Sequence, residues 1–306
     1  MDGLILVDKP QKLTSHDVVL ELRRLLKIKK IGHFGTLDPL ATGVLILAVG
    51  RATRLFPFFS KERKSYTGQI RLGFATETYD SFGRPTSAES QKLPDESEIC
   101  EAMKKLEGEI LQTPPLYSAK KYRGQPSYKL ARGKKEVLLK PVKVFVHSFA
   151  LQKYHPPHLE FEVQCSSGTY IRSIAHDLGQ NLGCGAHLTG LKRITSGHFR
   201  LSDCLTLDKI KELIQQGRLE GFLIPLESLL PQFPKIILKE MGAVRARNGN
   251  WILPEDIQNV LLPERSLLLV FQEEKIFRLF SFEGKFLGLA RKEPDQKGLL
   301  PFLVLN

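Results

Sequence analysis

Residues 31–43 read IGHFGTLDPLATG, a glycine-rich stretch with no clear helical or strand period. Apolar runs lie on both sides of it, and residues 4–7 and 44–49 each predict a short buried strand. Between the first run and the glycine-rich stretch, Thr14 and Ser15 are residue types that cap a helix N-terminus. We therefore predict a strand, a helix, a loop over residues 31–43 and a second strand.

Asp38 is the unusual residue of this predicted loop. It is the only carboxylate between Glu21 and Glu62, and the same segment holds eight Lys or Arg. Pro39 biases Asp38 toward an extended backbone, and the nearby glycines allow a ligand to approach closely. A lone carboxylate in a rigid loop among cations is expected to stay ionised, as a nucleophile or general base must. The alternative is an Asp-Pro turn in which the glycines serve the turn geometry alone.

The other elements predict an α+β fold with a mixed, largely antiparallel sheet flanked by helices. Alternating apolar and polar residues predict half-buried strands at residues 66–72 and 159–165. Helices are predicted to begin near Asp95, Ile171 and Asp208. These strands and helices do not follow a regular βαβ order, so we do not expect a doubly wound parallel sheet.

After Pro231 the sequence changes to short β-rich runs that are separated by turn residues. The runs are residues 236–238, 267–271, 276–282, 286–290 and 300–305. This pattern predicts a small β-barrel-like domain. We therefore expect two domains, at residues 1–230 and 231–306.

The composition of the 306 residues predicts a cytoplasmic protein with a polyanionic partner. Hydrophobic residues make up 42% and charged residues 25%, as in ordinary soluble proteins. We find no run of 18 apolar residues and no basic start ahead of an apolar segment, so we expect no membrane association. The four cysteines lie far apart, which fits a reducing compartment. A net charge of +12 favours a phosphate-rich partner such as a nucleic acid.

Residues 113–140 are the second informative segment. They contain eight Lys or Arg against one acid, Glu136, together with Tyr117, Tyr122 and Tyr128. Cations contact phosphates and aromatic rings stack on unpaired bases, so this mixture indicates contact with a nucleic acid. A solvated basic loop is the alternative, and it accounts for the lysines but not for the tyrosines.

Arg172 follows a predicted turn at residues 166–170 and falls in the first turn of a helix. The helix dipole disfavours a cation there, so a buried ion-pair partner is expected, although a surface arginine is the common alternative.

A zinc set drawn from Cys165, His176, Cys184 and His187 has irregular spacing. The sequence contains no P-loop or dinucleotide-binding fingerprint. We therefore expect no metal and no cofactor.

Together these segments resemble the TruB family of tRNA pseudouridine synthases, stand-alone bacterial enzymes that modify uridine 55 in the T loop of tRNA. The resemblance runs in order through residues 6–10, 14–17, 32–43, 64–66, 76–80, 115–121, 168–172 and 183–191. It covers most of residues 1–230, and the last 75 residues resemble, more loosely, the RNA-binding PUA domain that usually follows. The resemblance implies the pseudouridine synthase fold and an isomerase that flips its target base out of the RNA.

By this resemblance Asp38 is the catalytic aspartate and Arg172 is the arginine that pairs with it. Tyr66 would stack on the flipped uracil, and His33 would enter the T loop. The remaining substrate-binding positions are Tyr170 and Leu191 in the base pocket, Lys9, and Lys120 and Lys121 in the segment 113–140, which corresponds to the loop that closes on RNA. The sequence departs from the family at Phe34, which is bulkier than the small residue usual there.

The expected partner is the T stem-loop of tRNA, and the expected enzyme is a monomer that needs neither a guide RNA nor a protein partner. Two alternatives remain open. A non-catalytic RNA-binding or assembly protein accounts for the charge and the tyrosines but gives no reason for the lone Asp38. A guide-RNA-dependent synthase of the archaeal and eukaryotic type shares the catalytic core and requires protein partners.

Overall fold

The structure is a computed structural model that describes residues 1–118, 120–122, 124–133, 137–263, 276–293 and 296–305. The strands of these residues are, in chain order, β1 (Gly3–Lys9), β2 (Ile31–His33), β3 (Ala41–Val49), β4 (Lys64–Leu72), β5 (Gly108–Gln112), β6 (Lys121–Tyr122), β7 (Gln125–Pro126), β8 (Val142–His155), β9 (His158–Cys165), β10 (Ala186–Ser196), β11 (Phe199–Arg200), β12 (Leu205–Thr206), β13 (Leu223–Pro225), β14 (Lys235–Leu238), β15 (Ile257–Leu261), β16 (Ile276–Ser281), β17 (Phe286–Lys292) and β18 (Leu299–Val304).

The same part of the chain forms seven α-helices and five short 3-10 helices. The α-helices are α1 (Ser15–Leu26), α2 (Phe56–Ser60), α3 (Glu96–Lys104), α4 (Ser127–Arg132), α5 (Ile171–Asn181), α6 (Leu207–Gln215) and α7 (Glu240–Arg247). The 3-10 helices are Gly50–Leu55, Leu201–Asp203, Leu219–Gly221, Leu226–Ser228 and Pro254–Asp256. No helix in the described ranges is long and apolar enough to cross a bilayer.

The larger sheet contains eleven of the described strands, eight of them in the order β12-β1-β3-β10-β4-β9-β8-β5. The other three each pair with one strand of this order, β2 with β3, β11 with β10 and β13 with β1. Two pairs are parallel, β1 with β12 and β3 with β10, and the other pairs are antiparallel. The structure therefore confirms the mixed, largely antiparallel sheet flanked by helices.

The central strands β1 and β3 are buried on both faces. In β3, Leu45 and Leu47 face a core beneath α1, α3, α5 and α6, whereas Val44 and Ile46 face a second core on the opposite side. Successive strand residues point to opposite faces, so a strand between two cores must be apolar throughout. The uninterrupted apolar runs at residues 4–7 and 44–49 follow from this position.

Helix α1 begins where the sequence predicts. The Thr14 hydroxyl accepts a hydrogen bond from the Asp17 backbone N–H at 3.0 Å, and the Asp17 carboxylate accepts one from the Thr14 N–H at 2.8 Å. This reciprocal capping satisfies two donors at the helix start and fixes the direction in which the chain enters α1.

The predicted loop over residues 31–43 is wrong at both ends. Ile31–His33 forms β2, which pairs antiparallel with β3, and β3 itself begins at Ala41. A three-residue strand is too short to show a period in the sequence, and its backbone pairing with β3 determines its conformation. Residues 34–40 remain irregular.

The C-terminal region contains a five-stranded sheet with the order β15-β14-β16-β17-β18. Its end strands do not pair with each other in the described residues, so this sheet is not closed into a barrel. The predicted run at residues 267–271 lies outside the described residues. Ile276, Phe280 and Phe286 of this sheet pack into the second core, which they share with β1 and β3.

Candidate active site

A cavity of about 240 Å³ lies where β4, β10, the 35–38 turn and the start of α5 meet. Its described lining residues are Gly35, Thr36, Leu37, Asp38, Lys64, Tyr66, Ser118, Ser167, Gly168, Thr169, Tyr170, Ile171, Leu191 and Arg193. Asp38 is the only carboxylate among them. The volume lies below the roughly 300–1,000 Å³ typical of sites for drug-sized ligands, so the cavity suits a small chemical group.

Asp38 forms an ion pair with Arg172 in this cavity. The Arg172 Nε donates to the Asp38 Oδ2 at 2.8 Å. The Asp38 side chain is 36% exposed, whereas that of Arg172 is 5% exposed. The carboxylate therefore has one side open to the cavity and the other held by a buried cation. The structure places Arg172 in the first turn of α5, where the buried guanidinium has an ion-pair partner that is partly exposed.

Arg172 uses its other nitrogens to fix its own position. Nη1 donates to the Thr78 carbonyl at 2.9 Å, and Nη2 donates to the Tyr117 carbonyl at 3.0 Å. The Asp80 Oδ2 lies 3.5 Å from Nη1. Five donors in a planar fork allow a guanidinium to bind several acceptors at once, which an ammonium group cannot do in the same geometry.

Asp80 is a site residue to which the sequence analysis assigned no role. It is 5% exposed, and its Oδ1 accepts hydrogen bonds from the Thr78 hydroxyl at 2.6 Å and the Phe82 N–H at 3.0 Å. A buried carboxylate needs a compensating charge, and Arg172 supplies it. The available signal was the segment 76–80, which forms part of the resemblance.

Tyr66 lies on β4 directly opposite Arg193 on β10, and both side chains line the cavity. Tyr66 is 5% exposed, so its ring forms part of a wall rather than a flexible surface. Burial raises the pKa of the Tyr66 phenol above its usual value, and the nearby Arg193 opposes that rise. The phenol is therefore neutral near pH 7, and its ring is available for stacking.

Tyr170 and Leu191 both line the cavity that contains Asp38, and their role in binding a base stays a prediction. The buried side chain of Gln112 holds the Tyr170 backbone: its Oε1 accepts from the Tyr170 N–H at 2.7 Å, and its Nε2 donates to the Tyr170 carbonyl at 3.0 Å. Leu191 also borders a larger groove of about 600 Å³ that does not include Asp38 and contains the acidic residues Glu160 and Glu162.

His33 and Lys9 lie near the cavity but are not among its lining residues. Burial lowers the pKa of His33, and the nearby Arg193 adds to this effect, so the imidazole is neutral near pH 7. Lys9 is fully buried, and its ammonium donates to the carbonyls of Pro10 at 2.8 Å and Leu13 at 2.6 Å. These contacts hold the turn before α1, and substrate binding by Lys9 stays a prediction.

The basic segment 113–140 contains the small β6–β7 hairpin and α4. Lys120 is exposed, whereas the Lys121 side chain lies outside the described part of the structure. The N-terminal end of the segment is hydrogen-bonded to α5. The Ser173 hydroxyl donates to the Thr113 carbonyl at 2.9 Å, and Arg172 donates to the Tyr117 carbonyl. The segment and the ion pair are therefore in direct contact.

Phe34 points away from the cavity and into the second core. It is 2% exposed and stacks on Phe59, with 5.4 Å between the ring centroids. Its backbone N–H donates to the Ile46 carbonyl at 2.9 Å. The bulk of this residue is thus accommodated behind the turn that carries Asp38.

The four residues of the irregular zinc set do not form a metal site. Within the described ranges, no group of three or more His, Cys, Asp or Glu has a geometry that could hold a metal ion.

The chain is similar to known proteins over most of its length. Residues 23–171 match the family model described as TruB family pseudouridylate synthase (N terminal domain), and residues 172–231 match tRNA pseudouridylate synthase B C-terminal domain. A protein of Solibacter usitatus named tRNA pseudouridine synthase B is 47% identical over 249 residues, which cover 81% of this chain and 85% of the relative. A protein of the same name from Clostridium tetani is 36% identical over 304 residues, which cover 99% of this chain and 100% of the relative.

Solved structures share the fold. A chain of an H/ACA RNP bound to a substrate RNA containing 2′-deoxyuridine superimposes with a TM-score of 0.69 at 22% identity, covering 99% of this chain and 85% of that chain. A chain of a Cbf5-Nop10-Gar1 complex gives a TM-score of 0.69 at 24% identity, with coverage of 99% and 84%.

Proposed function

The chain belongs to the TruB family of pseudouridylate synthases, and we propose that it converts uridine 55 of tRNA to pseudouridine with Asp38 as the catalytic carboxylate. The reaction is an isomerisation. The bond between N1 of the base and C1′ of the ribose breaks, and a bond between C5 and C1′ forms. C5 loses a proton and N1 gains one, so no external oxidant, reductant or group donor is consumed.

One observation carries the assignment of Asp38. It is the single carboxylate among the described residues that line the cavity of about 240 Å³, and a buried guanidinium fixes one of its oxygens at 2.8 Å. An oriented carboxylate whose other edge faces the cavity can meet the reacting base or ribose without a search over rotamers. A carboxylate repels phosphates, so holding the RNA backbone is not a reason for its presence.

The rest of the cavity supports recognition of a flipped base. Unstacking a base from a tRNA loop costs a few kcal/mol, which contacts in the enzyme must offset. The Tyr66 ring provides a stacking surface, Leu191 provides apolar contact, and the Tyr170 side chain closes the wall near the start of α5. Stacking on an aromatic side chain is worth about 1–3 kcal/mol per base, comparable with the cost of flipping.

We assign the T stem-loop of tRNA as the partner and the basic segment 113–140 as the element that closes on it. Residues 231–306 would form a PUA-like RNA-binding domain that contacts the same tRNA, next to a catalytic domain at residues 1–230. We further propose that the enzyme acts in the cytoplasm as a monomer, without guide RNA or protein partner. The net charge of +12 supports binding to a polyanion of this size.

Tritium release from a tRNA transcript labelled at C5 of uridine tests the proposal. The purified chain alone should release tritium, and a transcript with cytidine at position 55 is the matched substrate control. Binding without release would instead indicate a non-catalytic RNA-binding protein. Release that appears only after a guide RNA and partner proteins are added would indicate a guide-dependent synthase.

A further inference from the structure

In the turn that carries Asp38, every backbone carbonyl from residue 35 to residue 39 accepts a hydrogen bond. Arg193 donates to the carbonyls of Gly35 at 3.2 Å and Thr36 at 3.4 Å, and the Ser15 hydroxyl donates to that of Leu37 at 3.1 Å. The remaining two donors are backbone N–H groups, Ala41 to Asp38 at 3.0 Å and Lys12 to Pro39 at 2.8 Å. Two side chains, those of Arg193 and Ser15, supply three of the five donors.

Arg193 is a buried cation that binds carbonyls instead of a carboxylate. It is 0% exposed, and its Nε donates to the Val44 carbonyl at 2.6 Å in addition to the two turn carbonyls. No carboxylate of the described residues lies within 4 Å of its guanidinium. Burying a charge without a counter-charge is costly. If this side chain served only to fill apolar space, an apolar residue would do so without that cost.

The backbone of Arg193 is also fixed against the strand that follows the turn. Gly43 in β3 has φ +97°, and a Cβ built on it would lie 2.2 Å from the Arg193 carbonyl oxygen. Only glycine permits this approach. Both ends of Arg193, its backbone and its guanidinium, are therefore in contact with the segment that contains Asp38.

Ser15 contacts the turn at Leu37, the residue that follows the two held by Arg193. It is 1% exposed, and its hydroxyl accepts from the Leu37 N–H at 2.7 Å while donating to the Leu37 carbonyl. Ser15 is the first residue of α1, whose direction is fixed by the neighbouring Thr14 cap. The hydroxyl therefore reaches the turn from a rigid element.

We propose that Ser15 and Arg193 are positioning residues, which together clamp the backbone of residues 35–37 and thereby fix the Asp38 carboxylate against Arg172. This inference rests on the proposed function. The clamp acts through the backbone of residues 35–37, so its loss should displace the carboxylate without removing any contact between protein and tRNA phosphates. Displacement of a reacting group by about 1 Å can lower a rate by about 100-fold.

The first test compares Ser15→Ala with Thr14→Ala. Both remove one hydroxyl at the start of α1, but only Ser15 contacts the turn. We expect Ser15→Ala to lower kcat by about tenfold or more, with tRNA affinity within about threefold of the parent. Thr14→Ala should lower the melting temperature through the lost cap and leave kcat within about twofold.

The second test compares Arg193→Lys with Arg278→Lys. Arg278 also donates to two backbone carbonyls, those of Phe233 at 3.0 Å and Leu229 at 3.2 Å, but it lies in the C-terminal region. A lysine keeps the charge of Arg193 without its fork of donors. We expect kcat to fall by about tenfold or more in Arg193→Lys and to stay within about twofold in Arg278→Lys.

Three outcomes would overturn the clamp while the parent chain is active: an unchanged kcat in Ser15→Ala, a rise in KM with kcat preserved, or equal kcat losses in Ser15→Ala and Thr14→Ala. If Arg193→Lys does not fold, the Ser15 pair alone decides. A parent chain that forms no pseudouridine in tRNA contradicts the proposed function instead, so the two failures are distinguishable.

Discussion

The carboxylate of Asp38 and the guanidinium of Arg172 meet at 2.8 Å although 134 residues separate them in the chain. Their exposure is unequal, 36% for Asp38 and 5% for Arg172. The cation is thus part of the protein interior, while the anion faces the cavity. Removing Asp38 would therefore withdraw a counter-charge from a buried cation, whereas removing Arg172 would leave a carboxylate that water still reaches.

Asp38→Asn should abolish product formation and leave tRNA affinity within about threefold of the parent, because phosphates do not require this carboxylate. The amide keeps the size of the side chain and loses its negative charge. Tritium release and filter binding on the same preparation measure both quantities. Turnover within about tenfold of the parent would contradict the catalytic assignment.

Arg172→Met should slow the chemical step by at least about 100-fold. A pair of unit charges about 4 Å apart is worth about 4 kcal/mol at an effective dielectric constant near 20, before desolvation is subtracted. Single-turnover rates at saturating enzyme measure this step. Arg71→Met is the matched control, since Arg71 pairs with Glu89 at 2.7 Å on the surface, where such pairs contribute about 0–1 kcal/mol. A rate equal to that of the control would show that the Asp38 pair is dispensable.

The resemblance implied the ion pair, whereas nothing in the sequence predicted the clamp around it. The residue pattern alone singled out Asp38 as the lone acid of a basic segment and Arg172 as a cation at a helix start, and it left an Asp-Pro turn and a surface arginine open as alternatives. Asp80 and Arg193 carry no such local signal. Arg193 lies in a strand whose neighbours read as an ordinary mixture of polar and apolar residues, and its acceptors are carbonyls about 150 residues away.

The basic segment can be tested through the salt dependence of tRNA binding. If Lys120, Lys121 and Arg123 contact phosphates, replacing all three with Gln should flatten the slope of log affinity against log salt by about 2–3 units, because fewer counterions are released. Tyr122→Ala is the contrasting variant. A stacking contact would cost about 1–3 kcal/mol and leave the slope nearly intact. An unchanged slope in the triple variant would remove this segment from the RNA interface.

The stability difference between the parent and Lys64→Met should depend on pH. Burial lowers the pKa of its ammonium from 10.5 to about 8. Below pH 8 the group is charged in both states, and between pH 8 and 10.5 only the unfolded chain retains the proton, so stability rises with pH by at most about 1.4 kcal/mol per unit. The melting temperature of the parent should therefore rise relative to Lys64→Met between pH 8 and 10. Lys61→Met, at an exposed neighbour, should show no such trend. A constant difference for Lys64→Met would contradict the burial effect.

Patterning predicted the strands and helices better than the sheet order. Alternation located β4 and β9, and capping residues located α1, because these signals lie within one element. The three-residue β2 and the parallel pairing of β3 with β10 depend on contacts between distant segments, which neither period nor propensity encodes.

The second core joins the turn that carries Asp38 to the C-terminal sheet. Phe34, four residues before Asp38, packs in the same apolar cluster as Ile276, Phe280 and Phe286 of the C-terminal sheet. The two regions therefore lack the freedom that a linker would give them. If the C-terminal sheet binds RNA, as we propose, the distance from that contact to the Asp38 carboxylate is set by the core that both regions share.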